Sequence, residues 1–197
     1  MRRFLLAGVL FAPVCVVIPG CATLLGGSGS STLQSAVTGD RLPLTLPTQV
    51  FVQDKAGIAD IYLTDLPVGE LAGKDLSQLS GTIIHVHVFT IPSAGDTPIA
   101  TTATTSTVRV VILANGQAGV YAGGGFFSAS DDDASGSSFG GALRRATLYL
   151  RHATSGFDDR LGPSELSFST SARRDEKAAA TLAQAIDAVV NASKIVE

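Results

Sequence analysis

Between residues 49 and 169, apolar and polar residues alternate in short runs, and turn residues separate the runs. A period of two puts successive side chains on opposite faces, as a β-strand does and a helix does not. Residues 49–53 and 58–64 are two such runs, joined by Asp54-Lys55-Ala56-Gly57, a hairpin cue. Residues 82–91 form the most apolar run. Residues 108–113 and 119–127 flank Asn115-Gly116, a pair that accepts the left-handed backbone of a two-residue hairpin turn. Along 139–151, Ala142, Ala146, Leu148 and Leu150 alternate with Arg145, Thr147, Tyr149 and Arg151, which predicts the first set inward and leaves Arg144 as the one break. Gly123-Gly124-Gly125 lies inside a run and precedes no helix, so it reads as a bulge or a close backbone crossing, not as a phosphate cradle. With 165–169 as a further run, about seven short strands at hairpin spacing predict a mainly β domain. The expected architecture is an antiparallel β-sandwich or barrel.

The period then changes. Over about 172–193, Ala178, Ala179, Leu182, Ala185, Ile186, Val189 and Val190 fall on one stripe, while Lys177, Gln184, Asp187 and Asn191 fall off it. This predicts one C-terminal amphipathic helix with a small-residue face suited to lying on a sheet. Docking on a partner is the alternative use of that face. Residues 67–80 carry leucines on a loose helical spacing cut by glycines, and predict a turn or short helix.

The N-terminus follows another logic. Met1-Arg2-Arg3 is cationic, residues 4–18 are almost wholly apolar, and Ile18-Pro19-Gly20-Cys21 closes the run. The apolar stretch is shorter than the ~20 residues of a membrane-spanning helix and has the order of a secretory signal. Its ending resembles the lipobox of bacterial lipoproteins, with Ile18 at the first position, Gly20 at the third and Cys21 as the modified residue. That resemblance implies cleavage before Cys21, acylation of its side chain and amine, and a membrane partner held through the N-terminal lipid. It implies a place in the cell envelope, on the outer membrane facing the periplasm in a host with two membranes. The expected organisation is a signal over 1–20, a lipidated flexible tether over 21–48 and a single β-rich domain over 49–197. Gly26-Gly27-Ser28-Gly29-Ser30-Ser31 has flexible-linker composition, and a coil over 22–49 would reach ~30 Å. An extra strand over 32–37 is the alternative.

Composition limits the classes of function. Both cysteines, Cys15 and Cys21, lie in the signal region, so the domain depends on its apolar core and not on disulfides. Arg2 and Arg3 leave with the signal, which takes the formal charge from −3 to −5. A mildly acidic body without a basic cluster argues against a nucleic-acid partner.

Few residues carry chemistry. His85 and His87 stand two apart on an expected strand and share a face about 7 Å apart, within reach of one metal ion. Phe89 and Ile91 are expected on that face, and a metal would need His152 or a loop aspartate as third ligand. Asp131, Asp133 and Ser135 match the first half of an EF-hand calcium loop, although Ala142 stands where the bidentate glutamate belongs. Gly136-Ser137-Ser138-Phe139-Gly140 has the spacing of a hydrolase nucleophile elbow without its strand–turn–helix context. Phe157-Asp158-Asp159-Arg160 reads as a surface ion pair. The expectation is therefore a non-catalytic module without a cofactor, contacting another envelope protein. A metal-binding domain built on His85 and His87 is the alternative.

Overall fold

The structure, a computed structural model, describes residues 31–53, 58–73, 75–89, 91, 103–130 and 136–196. Its strands are β1 (Ser31–Ser35), β2 (Arg41–Leu44), β3 (Thr48–Gln53), β4 (Ala59–Thr64), β5 (Gly81–Val88), β6 (Ser106–Ala114), β7 (Gln117–Ala129), β8 (Ser138–Ala153), β9 (Ser164–Arg174) and β10 (Lys194–Ile195). One sheet contains all of them, in the order β10-β8-β7-β6-β5-β4-β3-β9-β1-β2. From β3 to β9 each strand pairs antiparallel with the next. β9 also meets β3 in parallel through Val50–Arg173 and Phe51–Arg174. The chain is mainly β with one long C-terminal helix, as its two periodicities predict.

Asn115 and Gly116 both take positive φ, 53° and 78°, which makes the tight turn between β6 and β7. The three glycines of β7 lie at a register shift between Gly124 and Phe126. A Cβ on Gly125 would stand 2.7 Å from that of Ala146, and one on Gly123 would run into the carbonyl of Thr147. Bulge and close crossing are therefore both present.

Three expectations need correction. First, the strands number ten among the described residues, not about seven. The stretch expected as tether supplies two of them: β1 stands where the alternative strand over 32–37 is expected and pairs with β9, and β2 pairs with β1. Leu33 of β1 is wholly buried. Second, β8 changes frame midway. Arg145 has φ 50°, and the β8–β9 register shifts between Leu143 and Ala146. The inward residues are Phe139 and Leu143 before the bulge and Ala146 and Leu148 after it. Ala142 accordingly leaves the inward set, and Arg144 is not a lone break. Third, Ala172 belongs to β9, and the helix α2 runs over Glu176–Ala192. Asp175 caps it, its carboxylate accepting from the Ala178 N–H at 2.9 Å.

The sheet buries its inner face and the part of its outer face that lies under α2. Leu33, Phe51, Ile61, Leu63, Ile84, Val86, Val110, Phe127 and Leu148 meet on the inner face. On the outer face Val50, Tyr62, Ile83, Val111 and Val120 receive the α2 stripe of Ala178, Ala179, Leu182, Ala185, Ile186 and Val189. The short helix α1 (Val68–Leu71) packs beside α2 and buries Leu71 there. The helix therefore docks on its own domain, and its alanines allow close approach. Full burial of Leu182 and Ile186 stabilises this layer by ~1.5–3 kcal/mol each.

Candidate functional site

Antiparallel register turns the outer face into rows of neighbours. One row runs Thr64, Ile83, Val111, Val120, and its apolar members lie under α2. The next is Tyr62, His85, Arg109, Ala122, Tyr149. A third is Asp60, His87, Thr107, Gly124, Thr147. His85 and His87 therefore share a face, as their spacing predicts, but their partners come from the neighbouring strand.

Asp60 is the centre of the group. Its Oδ1 lies 2.8 Å from His85 Nε2 and 2.8 Å from His87 Nδ1. An ionised carboxylate only accepts hydrogen bonds, so each of those nitrogens carries a proton and donates. His85 keeps Nδ1 and His87 keeps Nε2 as the remaining ring nitrogen. The His85 ring stacks on Tyr62 with centroids 4.6 Å apart and planes 7° from parallel. The side chains of His85, Asp60 and His87 are 17 %, 32 % and 38 % exposed, so the group grades from the α2 layer into solvent.

The electrostatics follow from this placement. The hydrogen bond from His85 is the main cause holding the Asp60 carboxyl below its ordinary range, with His87 adding to it and burial opposing. Burial pushes the Tyr62 hydroxyl up to about 12, and the charges of Asp60 and Asp187 act in the same sense while Arg109 opposes them. A carboxylate that accepts from an imidazole fixes its tautomer and its ring orientation. Among the described residues, however, no hydroxyl or thiol bonds to either ring to serve as a nucleophile.

Among the described residues no group of three or more His, Cys, Asp or Glu is placed to hold a metal ion. The Asp60 oxygen itself occupies the point on which both ring nitrogens converge. A zinc ion would sit ~2.0–2.1 Å from each nitrogen with the carboxylate beside it, not in its place. His152 does not join the pair. It lies on β8, three strands from β5 and so ~14 Å across the sheet, opposite Val120 and Ile195. Its Nδ1 is buried without a hydrogen-bond partner. Ile91 packs against the inner cluster because β5 ends at Val88, whereas Phe89 keeps the histidines' parity and is exposed.

The remaining sites resolve simply. Cys21, Asp131, Asp133 and Ser135 lie outside the described residues. Ser138 opens β8 opposite Arg173 and is followed by a buried strand residue, Phe139, so no nucleophile elbow forms. Asp158 pairs with Arg160 at 2.9 Å, as expected for a surface ion pair. Its neighbour Asp159 turns inward and accepts a short hydrogen bond from the Tyr121 hydroxyl.

Asp60, Tyr62 and Arg109 are the members that the sequence reading missed. Each stands at an outward position of an expected strand, and the available signal was the antiparallel register that sets them beside the histidines. Comparison of the chain with protein-family models, curated proteins and solved structures gives no match.

Proposed function

We propose that the chain is a lipid-anchored protein of the bacterial cell envelope, acylated at Cys21, whose β domain works by contact with another envelope protein and not by catalysis. The supporting observation is the part of the outer sheet face that α2 leaves uncovered. Phe89 and Tyr149 are 40 % and 46 % exposed there, with Arg109 beside the histidines and Arg151 5.5 Å from the Tyr149 ring. Aromatic residues and arginine on a rigid surface are the types enriched at protein interfaces. We read the strands β3 to β9 as a closed barrel, antiparallel from β3 through to β9 and closed by the parallel pairing of β9 with β3. Closure gives this face its rigidity, with β10 added at β8 and the β1–β2 hairpin continuing the sheet from β9 and reaching the inner core through Leu33.

A photo-crosslinking amino acid at position 149 tests the contact in cells. A discrete adduct with an envelope protein is expected there, and none from position 177 on the exposed side of α2. Equal or absent labelling at the two positions overturns the contact surface. The anchor has its own control: Cys21→Ser should remove incorporation of radioactive palmitate, and persistent labelling overturns it.

One observation favours a second reading, a transition-metal site. Asp60 supplies the oxygen donor that the histidine pair lacks in sequence, and rotation of its side chain would free both ring nitrogens for a ligand set of two imidazoles and one carboxylate. Binding to the folded state alone stabilises it by ~2.7 kcal/mol at a hundred times Kd. A zinc-dependent rise in Tm that disappears in the His85→Gln, His87→Gln double variant would establish this reading, and an unchanged Tm would dismiss it.

A further inference from the structure

A cavity of about 580 Å3 has neither His85, His87 nor Asp60 in its lining. Its walls are the β1–β2 hairpin, the turn between β6 and β7 and the loop that joins β8 to β9. Leu42, Ile112, Phe157 and Leu161 give it apolar sides, and Tyr121 contributes to its base. Tyr121 is 1 % exposed and belongs to the inner core, so the cavity ends on packed side chains.

The loop wall is built rather than draped. Asp159 Oδ1 accepts from the Tyr121 hydroxyl and from the N–H groups of Leu161 and Gly162, at 3.2 and 2.8 Å for the latter two. Phe157 stands edge-on to the Tyr121 ring, 6.5 Å away at 68°. Thr154 is fastened to Ala118, accepting its N–H at 2.8 Å. A site formed in advance spares a ligand the entropy of ordering it, and this volume falls within the ~300–1,000 Å3 usual for small-molecule pockets.

The rim carries two acids and two arginines, of which three are committed. Asp158 accepts from Arg160 Nε at 2.9 Å, and Asp40 accepts from the Thr38 hydroxyl at 2.8 Å. The Arg41 side chain enters no hydrogen bond or ion pair among the described residues, and it is exposed at the cavity mouth. An uncommitted guanidinium beside an apolar hollow recognises a ligand with one greasy body and one anionic head.

We propose that this cavity binds a small amphiphile with a single acyl chain and an anionic head, the chain against Leu42, Ile112, Phe157 and Leu161 and the head on Arg41. The proposal is independent of the contact face around Tyr149. The test uses the full chain in nanodiscs of neutral phosphatidylcholine and, as probe, dodecanoate bearing a diazirine near its tail. Irradiation should label residues 157–161 or Leu42. Excess dodecanoate should displace the label, whereas dodecyltrimethylammonium should not. Arg41→Gln should raise the half-displacing concentration about tenfold, because a hydrogen bond to a charged group is lost. Leu161→Glu should abolish labelling while leaving the circular dichroism spectrum unchanged, since that side chain lies at the half-buried mouth. Displacement by lysophosphatidylglycerol as well would name an anionic lipid as a source of the ligand, and displacement by dodecanoate alone a free fatty acid. Diffuse labelling, equal displacement by the cationic amphiphile, or an unaffected Arg41→Gln variant would each overturn the site.

Discussion

A carboxylate oxygen that accepts from two imidazoles makes stability depend on its own proton. In the folded chain the Asp60 carboxyl lies below its ordinary range, chiefly through the His85 hydrogen bond, while in the unfolded chain that bond is gone. The folded state therefore releases this proton more readily. The stabilisation is full above the unfolded value of ~3.9 and fades as pH falls through the lower folded value. Asp60→Asn should cost ~1–3 kcal/mol at pH 7, toward the low end because water screens a carboxylate one-third exposed. Urea melts of both proteins from pH 7 down to pH 2 check the sign. The difference should shrink below pH ~4, and a difference that grows on acidification would show that the carboxylate does not stabilise the pair. The histidines were legible because residues two apart on a strand must share a face. Asp60 was not, since its place beside them depends on the pairing of β4 with β5, across a connection of sixteen residues that holds α1. Alternation within one strand carries no information about the register of the next.

At the scale of the element, the long strands β7 and β8 show what alternation can and cannot predict. Gly123-Gly124-Gly125 announced a crossing, and β8 does pass so closely that a Cβ at Gly123 meets the Thr147 carbonyl. The frame shift at Arg144-Arg145 showed in the sequence only as the single break in alternation at Arg144. Arginine rarely adopts φ 50°, and its long side chain gives no turn signal; the bulge is held by tertiary pairing, including the Arg145 N–H bond to the Ser167 hydroxyl and a bidentate pair with Glu165. Two glycine substitutions separate crossing from mere flexibility. Gly123→Ala must push β8 away and should destabilise the domain by ~3 kcal/mol or more, as overpacking against backbone does. Gly69→Ala sits in α1 with nothing within 4 Å of the added carbon, and should be neutral or stabilising by ~0.5–1 kcal/mol. Thermal melts of the two variants should move in opposite directions, or the second not at all. A tolerated Gly123→Ala would mean that the crossing is looser than the structure shows.

For the whole molecule, the boundary of the domain was the part least legible in sequence. Ser31-Thr32-Leu33-Gln34-Ser35 has one large apolar residue and follows a glycine/serine run, so its composition matches a linker. Its strand character comes from β9, more than 120 residues away, whose free edge it covers through Thr32–Ser167, Leu33–Leu166, Gln34–Glu165 and Ser35–Ser164. A window of local sequence does not specify such non-local pairing, which is why an extra strand over 32–37 stands only as the alternative to a tether. The consequence is testable by truncation. A chain beginning at Thr48 keeps every strand from β3 onward but loses β1 and β2. It uncovers the β9 edge and opens the space that Leu33, 0 % exposed, fills in the inner core. Deleting a buried leucine alone costs ~2–5 kcal/mol, a large share of the ~5–15 kcal/mol that stabilises a typical domain. The exposed edge adds a template for pairing with another chain. The shortened chain should thus melt well below one beginning at Ala22, and should associate at concentrations where the longer chain stays monomeric. Circular dichroism melts and size-exclusion chromatography of the pair decide the matter. Equal Tm values and equal elution would return residues 31–44 to the role of tether, with the β1–β9 pairing contributing nothing to the fold.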